Sequence, residues 1–396
     1  MFEIAIDELG IGNDKVAYVK LPANKHTVID AMDREKIFGE TFLRISGCYT
    51  FPELEGYEFK SEPTLDELNF LAKRLEEISS DKEDITPVIA YRAMLRRGFD
   101  TINEAINRTY NLNSIPVLPC NNVREYGEIV LENEMLDDLK DVPDEIYELL
   151  DAEKVGRVMA DRENGVFIDG HYAAVDSYEP VLVYDEKLPE QTEDWIFRLE
   201  IASVPEKEED FHKMKTETLA LPADEEYMQD IAEALGEKRI DDCIAIKFKS
   251  AIPQISSSAW QSIKEIYIFN DIAHRFSELS REDAVKFKAV LEHEKPSEID
   301  KIEFILKGLD SYEFDNTVSH DTEFGEKYLA KMMPPDFDRS LLKHACTSRF
   351  TQSIIAANNC GENEYGIVSG YGGHLYSLIE APQQEQTSDF KMGGIT

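Results

Sequence analysis

Apolar residues recur along this chain with two periods, and the change from one to the other sets the expected elements. Residues 2–6 and 16–19 have the short, alternating, β-branched character of half-buried strands. Residues 42–45 read the same way after an intervening helical stretch. From Leu65 the period lengthens. Leu65, Leu68, Leu71, Leu75 and Ile78 stand three and four residues apart, the apolar stripe of a helix, and Ser79-Ser80-Asp81 closes it with a polar stop. Further helical runs are expected at 86–97, 101–110 and 126–160. Strand patterns return at 195–201 and 243–248, again ahead of helical sequence. Small sheets with more helix than strand make the fold class α+β.

The second half echoes the first in order. Leu21-Pro22-Ala23 recurs as Leu221-Pro222-Ala223, and the helix 68–79 matches 269–280 without a gap, with Asn69 answering Asn270 and Arg74 answering Arg275. Arg92-Ala93-Met94-Leu95 is answered by Lys288-Ala289-Val290-Leu291, and Glu125-Tyr126-Gly127-Glu128 by Glu323-Phe324-Gly325-Glu326. Gly170-His171-Tyr172 and Gly373-His374-Leu375 stand near the two ends. Two tandem modules are expected, 1–178 and 196–380. The polar, proline-containing stretch 179–195 reads as a linker. Residues 381–396 lack apolar periodicity and read as a flexible tail.

A hydrophobic fraction of 42% predicts a folded chain, so its charge is informative: 80 Asp+Glu against 42 Lys+Arg leave a formal −38. The excess is uneven, with 24 acidic and 8 basic residues in 101–200 against 20 and 13 in 1–100. Such a field repels nucleic acid and anionic membranes and steers basic surfaces inward, so the expected partner is a basic protein, with no direct nucleic acid and no membrane. Cys48, Cys120, Cys243, Cys346 and Cys360 are scattered and never form a C-x-x-C pair, as in a reducing compartment. The first residues have no signal-peptide character and no window approaches ~18 apolar residues. A cytoplasmic location is expected, where the sequon Asn107-Arg108-Thr109 has no consequence.

Catalytic patterns are missing. There is no phosphate-loop or dinucleotide fingerprint, no nucleophile elbow and no zinc-helix motif. Ser369-Gly370-Tyr371-Gly372-Gly373-His374 lacks the lysine and helix start that phosphate binding needs and reads as a turn. His171 and His374 read as structural histidines beside glycine turns. Arg92, Arg96 and Arg97 form a small basic cluster better suited to neighbouring acids than to phosphate. The expectation is a non-catalytic protein without cofactor or metal.

The densest acidic stretch runs over 125–163. Leu131, Met135, Leu136, Leu139, Ile146, Leu149, Leu150, Val155, Val158 and Met159 supply an expected core face. Glu125, Glu128, Glu132, Glu134, Asp137, Asp138, Asp141, Asp144, Glu145, Glu148, Asp151, Glu153 and Asp161 occupy most of the rest and form the candidate partner-binding face. Pro143 divides the stretch, with Asp141 placed as a cap for the helix that follows. Carboxylates three or four residues apart on a helix have Cβ atoms ~5–6 Å apart. Duplex DNA carries roughly one charge per 1.7 Å of axis. Rows of such helices on a rigid core approach that density.

The first half resembles the ArdA antirestriction proteins. The resemblance rests on Val19-Lys20-Leu21-Pro22-Ala23, on the helix start 65–72, and above all on Asp151-Ala152-Glu153-Lys154-Val155-Gly156-Arg157 running into Asn164-Gly165-Val166-Phe167-Ile168-Asp169-Gly170. It implies an elongated array of small subdomains, often dimeric, that mimics bent B-form DNA and blocks type I restriction-modification enzymes by occupying their DNA-binding groove. This chain is about twice the usual length, and its second half lacks the Gly-Arg segment, so a single-chain pseudo-dimer and a homodimer both stay open. Two other roles also stay open: inhibition of another nucleic-acid-binding defence protein, such as a CRISPR effector, and non-catalytic scaffolding in a mobile element.

Overall fold

The computed structural model describes residues 2–10, 15–135, 149–176, 182–184, 187–203, 215–255, 265–318, 320–334, 336–344 and 347–376. The chain divides between Asp194 and Trp195 into two compact units.

In the first unit β1 (Phe2–Glu8) lies between β2 (Val16–Leu21) and β3 (Thr41–Gly47), antiparallel to both. Ile4 and Ile6 of the central strand are fully buried, and α1 (Lys25–Arg34) bridges β2 to β3. The helices α2 (Leu65–Ile78), α3 (Thr86–Arg97) and α4 (Ile102–Arg108) share one core with this sheet. Helix α2 starts where its capping box dictates: Thr64 Oγ1 accepts from the Glu67 N–H, and the Glu67 carboxylate accepts from the Thr64 N–H. Its expected stripe is the buried one, with Leu68, Leu71 and Leu75 inaccessible and Leu65 and Ile78 packed at the margin. A smaller lobe follows, built from β4 (Val117–Pro119), α5 (Val123–Glu132), α6 (Ala152–Arg162), β5 (Val166–Ile168) and β6 (His171–Ala173), with sheet order β4-β6-β5. Cys120, Tyr126, Val130, Met159, Tyr172 and Ala174 form its core.

The second unit runs through the same order. The strands β7 (Phe197–Ser203), β8 (Thr216–Leu221) and β9 (Cys243–Ser250) form a sheet ordered β8-β7-β9, with α7 (Glu225–Ala234) between β8 and β9. The helices α8 (Ile266–Ser277), α9 (Arg281–Glu294) and α10 (Ile299–Lys307) share its core. The strands β10 (Phe314–Asp315), β11 (Cys360–Asn363) and β12 (Gly366–Ser369) then combine with α11 (Asp321–Met332) and α12 (Ser348–Ala357) in a second small lobe. Its sheet order is β10-β12-β11. The fold is α+β, as its periodicities predict, and is made of small subdomains.

Two recurring sequence features meet in space in each unit. Asn69, 2% exposed on α2, accepts from the Ala23 N–H at 2.8 Å and donates to the Ala23 carbonyl at 3.0 Å. Asn270 on α8 does the same to Ala223, both bonds 2.9 Å. The turn after β2 or β8 buries a main-chain N–H and C=O that no strand can reach, and one amide side chain satisfies both. Each such group left unpaired costs about 1–3 kcal/mol.

Several expectations need correction. The helical run expected over 126–160 with a division at Pro143 already stops at Glu132, the end of α5, and among the described residues it is helical again from Ala152, the start of α6. Met135, Leu149 and Val158, assigned to its core face, are 45%, 81% and 49% exposed. Met159 is buried and Val155 packs against the same core, as expected, while Tyr126, Gly127, Val130 and Gly156 complete the packed face. Up to Asp194 the expected linker is part of unit 1 wherever it is described. Tyr184 is buried and donates to Glu67 at 3.1 Å, while the Val183 and Tyr184 N–H groups donate to Asn107 Oδ1. Lys73 pairs with Glu190, the Thr192 N–H donates to Asp66, and Asp194 meets Lys25 and His26. Residues read as loose in sequence are here bonded to α1, α2 and α4. Small sheets are present as expected, but strand β8 and the short strands β4–β6 and β10–β12 were not among the predicted ones. Asn107 of the sequon is buried. The expected tail, 381–396, lies outside the described residues.

Candidate acidic interface

The candidate face starts from how α5 and α6 pack. A Cβ added at Gly127 would stand 1.7 Å from the Ala152 carbonyl oxygen, and one at Gly156 would stand 2.0 Å from that of Val123. The helices therefore touch main chain to main chain, which only glycine at both positions permits. Beneath them Tyr126 and Tyr172 stack at 3.8 Å, and both hydroxyls donate to Glu163 Oε2, at 2.6 and 2.7 Å. Burial and then the Glu163 carboxylate push both phenols well above their ordinary range, so they stay protonated donors. Glu163 was not among the expected site residues. Its role is structural, and the paired tyrosines were the available signal.

The described candidate acids divide into two kinds. Glu125 accepts from the Asn121 N–H and from the side-chain amides of Asn121 and Asn122, at 2.8–2.9 Å, and these bonds lower its pKa. Asp151 caps α6 by accepting from the Lys154 N–H. Glu128 pairs with Arg124 and Glu153 with Arg157, one helical turn away in each case. These four carry local structural work. Glu132, Glu134 and Asp161 are exposed and have no side-chain partner among the described residues. Asp137, Asp138, Asp141, Asp144, Glu145 and Glu148 lie outside the described residues, as do Leu136, Leu139 and Ile146.

The basic cluster is committed to the fold, as its neighbours suggested. Arg92 bonds Glu53 through Nε and Nη2, at 2.9 and 3.0 Å, and also Asp169. Arg96 adds Nε to Glu53 at 3.2 Å, and Arg97 donates to the Asn164 and Gly165 carbonyls. Burial alone would raise the Glu53 pKa. The two guanidiniums outweigh it and hold the carboxyl below its usual range. Helix α3 is thereby fastened to the 164–169 turn of the small lobe. His171 Nδ1 lies 3.0 Å from the Asp169 carbonyl and His374 Nδ1 2.7 Å from Glu313, while the 369–374 stretch is a hydrogen-bonded turn.

No family model and no curated protein matches the chain. Among the described residues no three His, Cys, Asp or Glu side chains are grouped to hold a metal ion. No described helix is long and apolar enough to cross a membrane.

Proposed function

We propose that this protein is an acidic DNA mimic that inhibits a type I restriction-modification enzyme by occupying its DNA-binding groove, without catalysis of its own. The observation that carries the reading is the unequal fate of the two charge signs. Arginines that could face a polyanion are paired with the chain's own carboxylates, at Arg44–Asp7, Arg74–Glu77, Arg92–Glu53 and Arg275–Asp271. Exposed acids such as Glu132, Glu134 and Asp161 have no such partner among the described residues. With a formal −38, the surface presents carboxylates to a basic groove. The glycine contact between α5 and α6 supports the reading by holding acidic helices in fixed relation, which charge mimicry needs. The ArdA-like segment 151–170 supports it from sequence, and its Gly156 is the residue on which that contact depends.

The test is binding to a purified type I methyltransferase core at low and high salt, with and without competing duplex DNA. Tight binding that weakens steeply with salt and excludes DNA is expected. Reversal of Glu132, Glu134 and Asp161 to lysine, with Asp137, Asp138, Asp144 and Glu148 reversed in a second variant, should each weaken inhibition while the fold is kept. Full inhibition by both folded variants would sink the proposal.

A further inference from the structure

The first unit has a preformed cleft of about 550 Å³ along the outer edge of β3, lined on the strand side by Phe42, Leu43 and Arg44 and on the other by Tyr57, Phe59 and Glu62. The pairing register shows which main-chain groups face it. Gly56 N–H donates to the Ile45 carbonyl at 3.0 Å on the side away from β1, and Leu9 N–H donates to Glu40 on the side toward β1. With Ala5 opposite Arg44 and Asp7 opposite Phe42, strand alternation turns the Arg44 and Phe42 main chain inward and the Leu43 N–H and C=O outward into the cleft. Among the described residues these two groups have no protein partner, so the cleft floor is an open strand edge.

The opposite wall is held in place. Tyr57 N–H donates to Leu54, its hydroxyl donates to the Phe99 carbonyl at 3.1 Å and also accepts from the Phe99 N–H, and its ring packs on Phe59 at 5.0 Å. The charge is one-sided. Arg44 is engaged by Asp7 at 2.8 Å, whereas Glu58 and Glu62 are exposed and have no ion-pair partner among the described residues.

The geometry points to a binding site for an extended basic segment of another protein, which adds as a strand to β3. Its main chain pairs with Leu43, its lysines or arginines meet Glu58 and Glu62, and its alternate apolar side chains lie on Phe42, Tyr57 and Phe59. A second copy of this chain is a poor occupant, because −38 opposes −38. The chain's own last sixteen residues are no better, with Lys391 against Glu385 and Asp389.

The test uses the full chain and a labelled peptide of alternating Lys and Val, followed by fluorescence anisotropy at near-physiological salt. Saturable binding is expected, together with protection of the Leu43 amide from hydrogen exchange. The Glu58→Lys/Glu62→Lys double variant should bind about tenfold more weakly or worse. Leu43→Pro removes the outward donor without touching a ladder bond and should do the same. Unchanged affinity in the double variant, equal binding of an alternating Glu and Val peptide, or an unprotected Leu43 amide each overturns the proposal. So does a dimer in light scattering that Leu43→Pro abolishes, because the occupant would then be a second copy. The double variant and the exchange measurement keep the proposal open to refutation even if the proline variant fails to fold.

Discussion

The two units place a polar hub at the same point in their element order and build it differently, around a carboxylate in the first and a neutral amide in the second. In unit 1 the turn Phe51-Pro52-Glu53-Leu54 after β3 supplies a carboxylate, and α3 supplies Arg92 and Arg96 to it. In unit 2 Ile252-Pro253-Gln254-Ile255 makes the same turn after β9, with Ile255 N–H on the Ile252 carbonyl as Leu54 N–H is on Phe51. Gln254 there donates to Glu292 at 3.3 Å and to the Tyr365 hydroxyl at 3.0 Å, and the buried Lys288 has its ammonium 5.4 Å from the Tyr365 ring. Arg92 and Lys288 align in sequence, so the cation persists while its anionic partner leaves the turn. A buried hub demands complementary donors and acceptors, and an ion pair or a neutral amide can meet that demand.

The small lobes differ in the same spirit. Gly127 and Gly156 bring α5 and α6 into main-chain contact. In unit 2 the glycine of α11, Gly325, faces the Thr351 hydroxyl on α12, 2.0 Å from where a Cβ would stand. This comparison yields the largest expected effect. Gly127→Ala should cost about 3 kcal/mol or more, because a carbonyl of the opposing helix cannot turn aside. Gly325→Ala should cost about 1 kcal/mol, since a threonine rotamer can change, and Thr351→Ala should restore most of it. Urea denaturation with amide exchange on each helix pair measures both. Equal costs at the two glycines would break the distinction.

The hubs give the next effect. Arg92→Met leaves Glu53, whose side chain is 13% exposed, without its main counter-charge and should cost about 3 kcal/mol. Gln254→Ala removes neutral donors and should cost about 1 kcal/mol. Thermal unfolding of the two variants separates them, and a costlier Gln254 would show that the amide, not the ion pair, is the stronger fastening.

The third effect is pH-dependent. Burial alone would raise the pKa of Asp315 in unit 2, but Lys327, Thr317 and Tyr376 bond its carboxylate and lower it from 3.8 to about 2. The folded state therefore favours the ionised form. That stabilisation, about 2 kcal/mol, is complete above pH 4 and is lost as pH falls through 2. Asp315→Asn should be less stable than the parent near neutrality, and the gap should close in acid. A gap that is constant with pH would assign the cost to packing.

Much of the fold was legible because its signals are local. The stripe on α2, the strands at 2–6 and 243–248, and the helix at 86–97 each follow from side-chain periodicity within a few turns. The candidate face was legible as a density of acids and not as a geometry. Sequence cannot tell Glu132, which stands free among the described residues, from Glu125, which accepts from Asn121 and Asn122, because the difference lies in whether those two residues fold back onto it. Gly127 and Gly156 could be seen, but their contact could not, as they are 29 positions apart.

What the amino-acid sequence determined by itself was the class of elements, their recurrence from one half to the other, and the sign of the surface field, since periodicity, order and charge are properties of the chain. Only the tertiary structure decided which charges reach solvent. Pairing depends on which residues distant in sequence meet, so it took the packed fold to assign Arg92 to Glu53, to draw residues 182–184 and 187–194 into the first unit, and to leave the edge of β3 open.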